Sequence, residues 1–436
     1  MHQQALTIVV FPSKGSGFPG MSLSLKRNIS FALLGRIVYA LTQFGILAAV
    51  AQLGKAEDVG ALTLASSIVT PLFFLTSMGM RDVHAVDDLD DFTRVDYVAL
   101  RLLGSAVAAA LTMLVVAIFY RDAQMLVVVT VFGFVLVKAA GAQMSLNHGI
   151  FQRAERMDYE AFSNSARGIS AFVAFLVAFW ATRNLPLSLV AEAVMMAVGY
   201  FAIDRRLLDR IGARTRMSEL RQVDLRKILR LAWWVMPIGI ALWLTRGAIS
   251  APPIVLEWHT DLATVGVFGA LAYVHSALSM VANTIGGAAA PRLRRHYRNG
   301  DRTGYMSLAK RLALTSTGLG VVAVVVAWSI GEPLLGLVFG QEYRQGELFT
   351  LIMLGTAISI AGAPFAAAIN ASQSFRRRLV TAVAVFSVAG VASVVMIPDL
   401  GAFGAAWALV ALAATQTGLN IVMLGFVIRN MPRASV

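Results

Sequence analysis

Cysteine is absent from all 436 residues, which excludes disulfide staples, thiol nucleophiles and cysteine-held metals. Charge is also thin, at 14% of residues where a soluble domain has about 25%. Acids are the scarcer sign, with 24 Asp and Glu beside 37 Lys and Arg. No GxxxxGK[ST] phosphate loop occurs, and no loop is large enough to be a nucleotide-binding domain. The loops are likewise too short for a large extramembrane catalytic segment. In place of these the chain has apolar length: 58% of it is hydrophobic and the mean hydropathy is +0.71.

Runs of about 20 apolar residues can cross a bilayer as helices. The sequence predicts twelve such spans, near 28–53, 59–80, 98–119, 123–150, 162–182 and 186–203, then 231–256, 262–290, 308–330, 347–372, 379–397 and 401–428. Basic residues sort by side of these runs. Thirty fall at the N-terminus, after the last run and in or bordering the even-numbered gaps, and only Lys55, Arg121, Arg183 and Arg344 fall on the other side. Since positive loops stay cytoplasmic, both termini are expected inside. The net charge of +13 is then an anchor to anionic lipid headgroups, and no nucleic-acid partner is expected. Three further cations, Arg36, Lys138 and Arg246, fall deep within the runs themselves.

The chain divides around a basic stretch. Expected units are an N-terminal lobe of six helices at 21–208, a linker at 209–230 and a second six-helix lobe at 231–436. Residues 1–20 read as a disordered extension or a misassigned start, with Met21 the more natural beginning. The halves echo each other faintly: "EDVGALTLA" precedes the second run and "LATVGVFGALA" the eighth, setting Val59-Gly60 against Val265-Gly266. An even number of spans per half gives parallel repeats. The stretch 82–96 is unusually acidic for an inside loop, and is expected to be a solvated surface or a place for a cytoplasmic partner to dock.

Charge inside a membrane is costly, so each buried cation is a candidate functional group. Arg36 lies about 12 Å into the first run, with Tyr39 and Gln43 on its stripe at i+3 and i+7. Snorkelling to the headgroups is its blander alternative. Arg246 sits in the seventh run with Trp243 and Ser250 on its face, below the Pro252-Pro253 break. Lys138 is deeper in the fourth run than snorkelling easily explains. His275 could line a cavity and titrate, whereas Asn370, like Gln143, Asn147, Gln373, Gln416 and Asn420, adds neutral polarity suited to interhelical hydrogen bonds. Glu192 is the only carboxylate placed clearly inside a run, as a partner for Arg246 or a carrier of a coupling ion. The expected binding set is therefore Arg36, Tyr39, Gln43, Lys138, Trp243, Arg246, His275 and Asn370. A cationic, aromatic interior suits an anionic cargo bearing sugars, because guanidinium binds phosphate bidentately.

Several segments, loose singly, gain weight from their order: "LGKAEDVGALTLA" after the first run, "GGAAAPRLRRHYRNGD" after the eighth, "LLGLVFGQEYRQG" after the ninth and "GAFGAAWA" opening the twelfth. Through them the chain resembles the multidrug/oligosaccharidyl-lipid/polysaccharide exporter superfamily, and within it the polysaccharide or O-antigen flippases of the Wzx type. The resemblance implies an all-α polytopic membrane protein of the bacterial inner membrane, with two six-helix lobes as in MATE exporters. It further implies a polyprenyl-pyrophosphate-linked oligosaccharide as cargo, carried outward by alternating access. Membrane lipids, and a polysaccharide polymerase or glycosyltransferase, are the expected partners, and neither cofactor, metal nor catalytic residue is required.

Two features depart from neighbouring families. A drug exporter is expected to carry acid in its first helix, where this chain has Arg36; a lipid II flippase usually has fourteen spans. A MATE-like exporter of drugs or small metabolites, and a non-transporting scaffold of a polysaccharide synthase complex, remain the alternatives.

Overall fold

A computed structural model of the protein describes residues 25–86, 92–121, 123–371 and 375–431. The expected extension at residues 1–20 lies outside them. The described residues contain no strand. Helices run α1 Leu25–Leu53, α2 Ala56–Ser77, α3 Met80–Val86, α4 Arg94–Phe119, α5 Met125–Arg153, α6 Met157–Thr182 and α7 Leu185–Gly199. After a π-helical turn at Tyr200–Asp204 come α8 Arg205–Arg210, α9 Met217–Leu220, α10 Leu225–His259 and α11 Leu262–Arg298. The chain closes with α12 Arg302–Val338, α13 Gly346–Ala371 and α14 Phe375–Arg429.

Eleven helices among the described residues are long and apolar enough to cross a bilayer. The expected eleventh and twelfth runs merge into α14, whose 55 residues far exceed the roughly 20 a bilayer needs. Its backbone leaves helical geometry at Gly401, with φ 54° and ψ −128°, just beyond Pro398. A positive φ of this kind favours glycine. A Cβ on Gly404 would meet the Met396 carbonyl and lie 2.8 Å from the Ile397 Cα. In a straight helix residues 396 and 404 stand about 12 Å apart, so the chain doubles back here. Phe386, before the break, packs on Gly247 of α10, whereas Val410, after it, packs on Gly355 of α13.

Two bundles result. α1 packs on α6, α5 and α6 on α7, and α2 on α4 and α5; α12 packs on α13, α10 and α13 on α14, and α11 on α13. α2 joins them by lying against both α10 and α11. At that seam the two members of the internal echo meet each other. A side chain on Gly60 would strike the Leu262 carbonyl, and one on Gly266 the Ala56 carbonyl. Such reciprocity is what a two-fold relation between like halves produces.

The ends of the molecule differ. At the sparsely charged end the Gln52 amide donates to the Leu337 carbonyl at 2.9 Å, joining the bundles. Phe44 of α1 packs on Phe339 and Tyr273, ring centroids 5.7 and 6.0 Å away. One apolar core runs through both bundles there, from Ile46 and Val50 to Leu335 and Phe349. Toward the basic end each bundle has its own cluster, around Phe151 and Leu208 in one and Leu293 and Tyr305 in the other. A further cluster, from Met80, Tyr97 and Leu146 to Ile228, Leu231 and Val235, ties α3, α4 and α5 to α10 there.

The acidic stretch beside α3 is not a free solvated surface where it is described. Asp96 is buried, accepts from the Thr93 backbone N–H at 2.7 Å, and pairs with Lys227 at 2.9 Å. Arg94 donates to the Arg214 carbonyl at 2.9 Å, and Lys227 and Arg230 lie over the Phe92 ring. Opposite charge clamps this loop to the basic linker. Asp87 to Asp91 lie outside the described residues.

Candidate functional site

Glycine brings α1 and α6 close enough to build the site. An added Cβ on Gly35 would lie 2.5 Å from the Ala161 Cα, and one on Gly168 3.2 Å from the Tyr39 ring. Small residues permit this backbone approach, which membrane helices use for association. The neighbours of that contact then meet: Arg36 Nε stands 3.6 Å from Glu160 Oε1. Arg81, presented by α3 where Gly149 of α5 abuts it, donates to the same oxygen at 2.7 Å. Arg36 is 42% exposed in its side chain while Glu160 is 1% exposed, so a reachable arginine lies over a buried carboxylate.

A second cluster lies deeper along α1. The Gln43 amide donates to Glu192 Oε1 at 3.5 Å. Glu192 and Arg246 both lie near enough to Lys138 to act on it electrostatically, and Tyr39 and Tyr273 sense the same carboxylate. Lys138 Nζ lies 4.9 Å from the centre of the Phe134 ring, and the Arg246 guanidinium 4.5 Å over Phe74. A cation over an aromatic face retains its charge while shedding some water, and so remains available to an anion. Arg246 is exposed although it belongs to the long apolar helix α10. Five of the expected residues, Tyr39, Gln43, Lys138, Glu192 and Arg246, thus converge from α1, α5, α7 and α10. Glu192 approaches Gln43 and Lys138 rather than forming the expected ion pair with Arg246.

Other expected residues stand apart. Trp243 packs within the second bundle, its ring 5.7 Å from that of Phe386. His275 is buried between α11 and α13, its Nδ1 2.9 Å from Thr356 Oγ1. Thr356 gives its own proton to the Ile352 carbonyl at 2.8 Å, so His275 is the donor and is satisfied internally. Asn370 is a residue of α13, and its side chain lies outside the described residues.

Sequence reasoning missed a buried polar network in the first bundle. Arg167, counted among the loop anchors, is only 5% exposed and donates to Asn164 Oδ1 at 2.9 Å. Its guanidinium lies 5.4 Å from the Tyr39 ring centre. Arg101, also counted as an anchor, donates to the Ala142 carbonyl at 3.0 Å. Asp204 ends the π-helical turn and accepts from Ser163 at 2.6 Å and Asn147 at 3.1 Å. Glu192 is therefore not the sole carboxylate inside the bundle, since Glu160 and Asp204 are equally buried. The signal was present as helical spacing: Glu160, Asn164 and Arg167 fall at i, i+4 and i+7 on one stripe.

Comparison with known proteins bears on what such a site serves. The family model described as polysaccharide biosynthesis protein matches residues 25–296, more than half of the chain. The chain belongs to that family. It is 24% identical over 334 residues to the capsular polysaccharide biosynthesis protein CapF of Staphylococcus aureus, covering 75% of this chain and 80% of that one. The Vibrio cholerae MATE transporter VcmN has a similar fold, with a TM-score of 0.65 and 12% identity over 93% of this chain and 96% of that one. A transporter of the same superfamily from Pyrococcus furiosus, described as having a binding pocket of reverse polarity, superposes with a TM-score of 0.62 and 12% identity, over 93% and 95% of the two chains. This member of the polysaccharide biosynthesis family is thus a multi-pass membrane protein with the fold of the MATE transporters.

Proposed function

We propose that the protein carries a polyprenyl-pyrophosphate-linked oligosaccharide across the bacterial inner membrane, from the cytoplasmic to the outer leaflet. The observation that carries this reading is the group of cations within the apolar helices, with Arg36 and Arg246 exposed and Lys138 beside Glu192, which we read as lining a cleft between the bundles. Guanidinium groups suit a diphosphate bidentately, and Tyr39 offers an aromatic face to sugar rings. Drugs that are cations would meet repulsion there. The basic end, where the cleft opens, faces the cytoplasm in this reading. The chain reverses within α14 to give twelve crossings and two six-helix lobes, with both termini inside. The lobes rock about their seam, the polyprenyl tail stays in lipid, and Glu192 is the candidate for a coupling ion.

The test is in cells that depend on this chain for their surface polysaccharide. Replacing Arg36, Lys138 and Arg246 together by alanine is expected to abolish surface polysaccharide while leaving protein abundance normal. Wild-type polysaccharide in that variant would sink the cationic-site reading.

A further inference from the structure

The proposed cargo requires an anion site that can also let go, and the first bundle contains an arrangement suited to that. Three guanidinium groups, those of Arg36, Arg81 and Arg167, lie within electrostatic reach of the buried His148 ring. Among the described residues, two buried carboxylates accompany them. Asp204 is occupied by Ser163 and Asn147, so Glu160 alone serves Arg36 and Arg81. It serves them incompletely. Both arginines approach its Oε1, while Oε2 is buried with no hydrogen-bond partner. Arg81 Nε, and Nε and Nη1 of Arg167, are also buried without partners. Most buried polar atoms are hydrogen-bonded, so the orphan Oε2 and Arg81 Nε of this ion pair mark a place built for something more.

We infer that Arg36 and Arg81 form a distinct seat for the diphosphate near the basic end of the cleft, and that Glu160 is a positioning residue that weakens their hold. The inference rests on the function proposed above and adds Arg81 and Glu160 to its residues. The side chains of Arg36 and Arg81 are 42% and 25% exposed, so both can be reached from the cleft, while Glu160 beneath them cannot. A diphosphate entering there takes over guanidinium hydrogen bonds that Glu160 shares between the two. Its charge meets the carboxylate behind them, which limits how tightly it is held. A translocation pathway needs that compromise, binding strongly enough to admit its cargo and weakly enough to release it. Arg167, behind Tyr39, keeps the seat net positive.

Titration calorimetry on the full chain in detergent, with farnesyl diphosphate as probe, tests this. Glu160→Gln is expected to bind about tenfold tighter than wild type, and Arg81→Gln about tenfold weaker, the range of a charge-assisted hydrogen bond. Glu160→Gln that is folded yet no tighter, beside an Arg246→Ala variant that is weaker, overturns this inference alone. A wild-type chain that binds no diphosphate overturns the proposed cargo as well. If Glu160→Gln fails to fold, Arg81→Gln decides, and an unchanged affinity there overturns the seat.

Discussion

The two bundles are alike in fold and unlike inside. The first holds Glu160, Asp204, Arg167, Asn147, His148 and Ser163 among its buried residues, joined by ion pairs and hydrogen bonds. The second is apolar along corresponding helices, and the His275–Thr356 pair is its main buried side-chain contact of polar kind among the described residues. Shape is therefore carried by glycine, alanine and valine packing, which both bundles share. Charge is carried by one bundle, which can hold an anion while the other supplies a wall and the single deep cation Arg246. The frame is common to both bundles, and a few buried positions in one of them supply the chemistry.

Breaking each bundle at its polar contact should reveal that asymmetry most strongly. Glu160→Ala leaves two arginines uncompensated and is expected to cost about 3–5 kcal/mol, whereas Thr356→Val orphans one neutral histidine donor and costs about 1–3 kcal/mol. Chemical denaturation in detergent measures both, and equal losses would erase the distinction drawn between the bundles. At the seam the two halves should respond alike. Gly60→Val and Gly266→Val each force a side chain onto the partner backbone and are each expected to cost about 1–3 kcal/mol. A large loss at one and none at the other would break the reciprocity. The smallest effect is expected from pH. Burial pushes His84 down to about 4, with Arg153 and Arg94 adding to the effect. Its folded value lies below the unfolded one near 6.5, so its contribution is present above 6.5 and lost as pH falls toward 4. Thermal stability should therefore drop between pH 7.5 and 5.5 by about 1 kcal/mol, and His84→Gln should flatten that slope. An unchanged slope in His84→Gln would assign the loss elsewhere.

Much of the frame was legible because length and hydropathy suffice to mark a membrane helix. The echo at Val59-Gly60 and Val265-Gly266 even located the seam, since only glycine allows two backbones to cross there. The interior of the first bundle was less legible. Arg101 and Arg167 lie near the ends of apolar runs, where a cation reads as a headgroup anchor until its partners are seen. Glu160 sits two residues before the expected start of its run, so a small error in a boundary hid a buried carboxylate. The clamp of Asp96 on Lys227 joins residues more than a hundred apart, and no local pattern announces such a pairing. Among the cations, Arg36, Lys138 and Arg246 stood out because they interrupt long apolar stretches. His275 stood out for the same reason, yet its partner across the helix gap gives it a purely structural contact.

The crossing of α2 and α11 also has a mechanical side. Side chains that interlock resist rotation, because each must leave its rotamer well before its neighbour can pass. Gly60 and Gly266 themselves have none to unlock, so at these two positions the joint offers less resistance to turning than an interlocked one. It sits near one end of both helices, which makes each of them a lever. Turning such a lever by about 10° sweeps its far tip, about 30 Å away across the bilayer, through roughly 5 Å. A displacement that small at the joint itself would barely disturb the packing, yet at the tip it matches the width of a sugar ring.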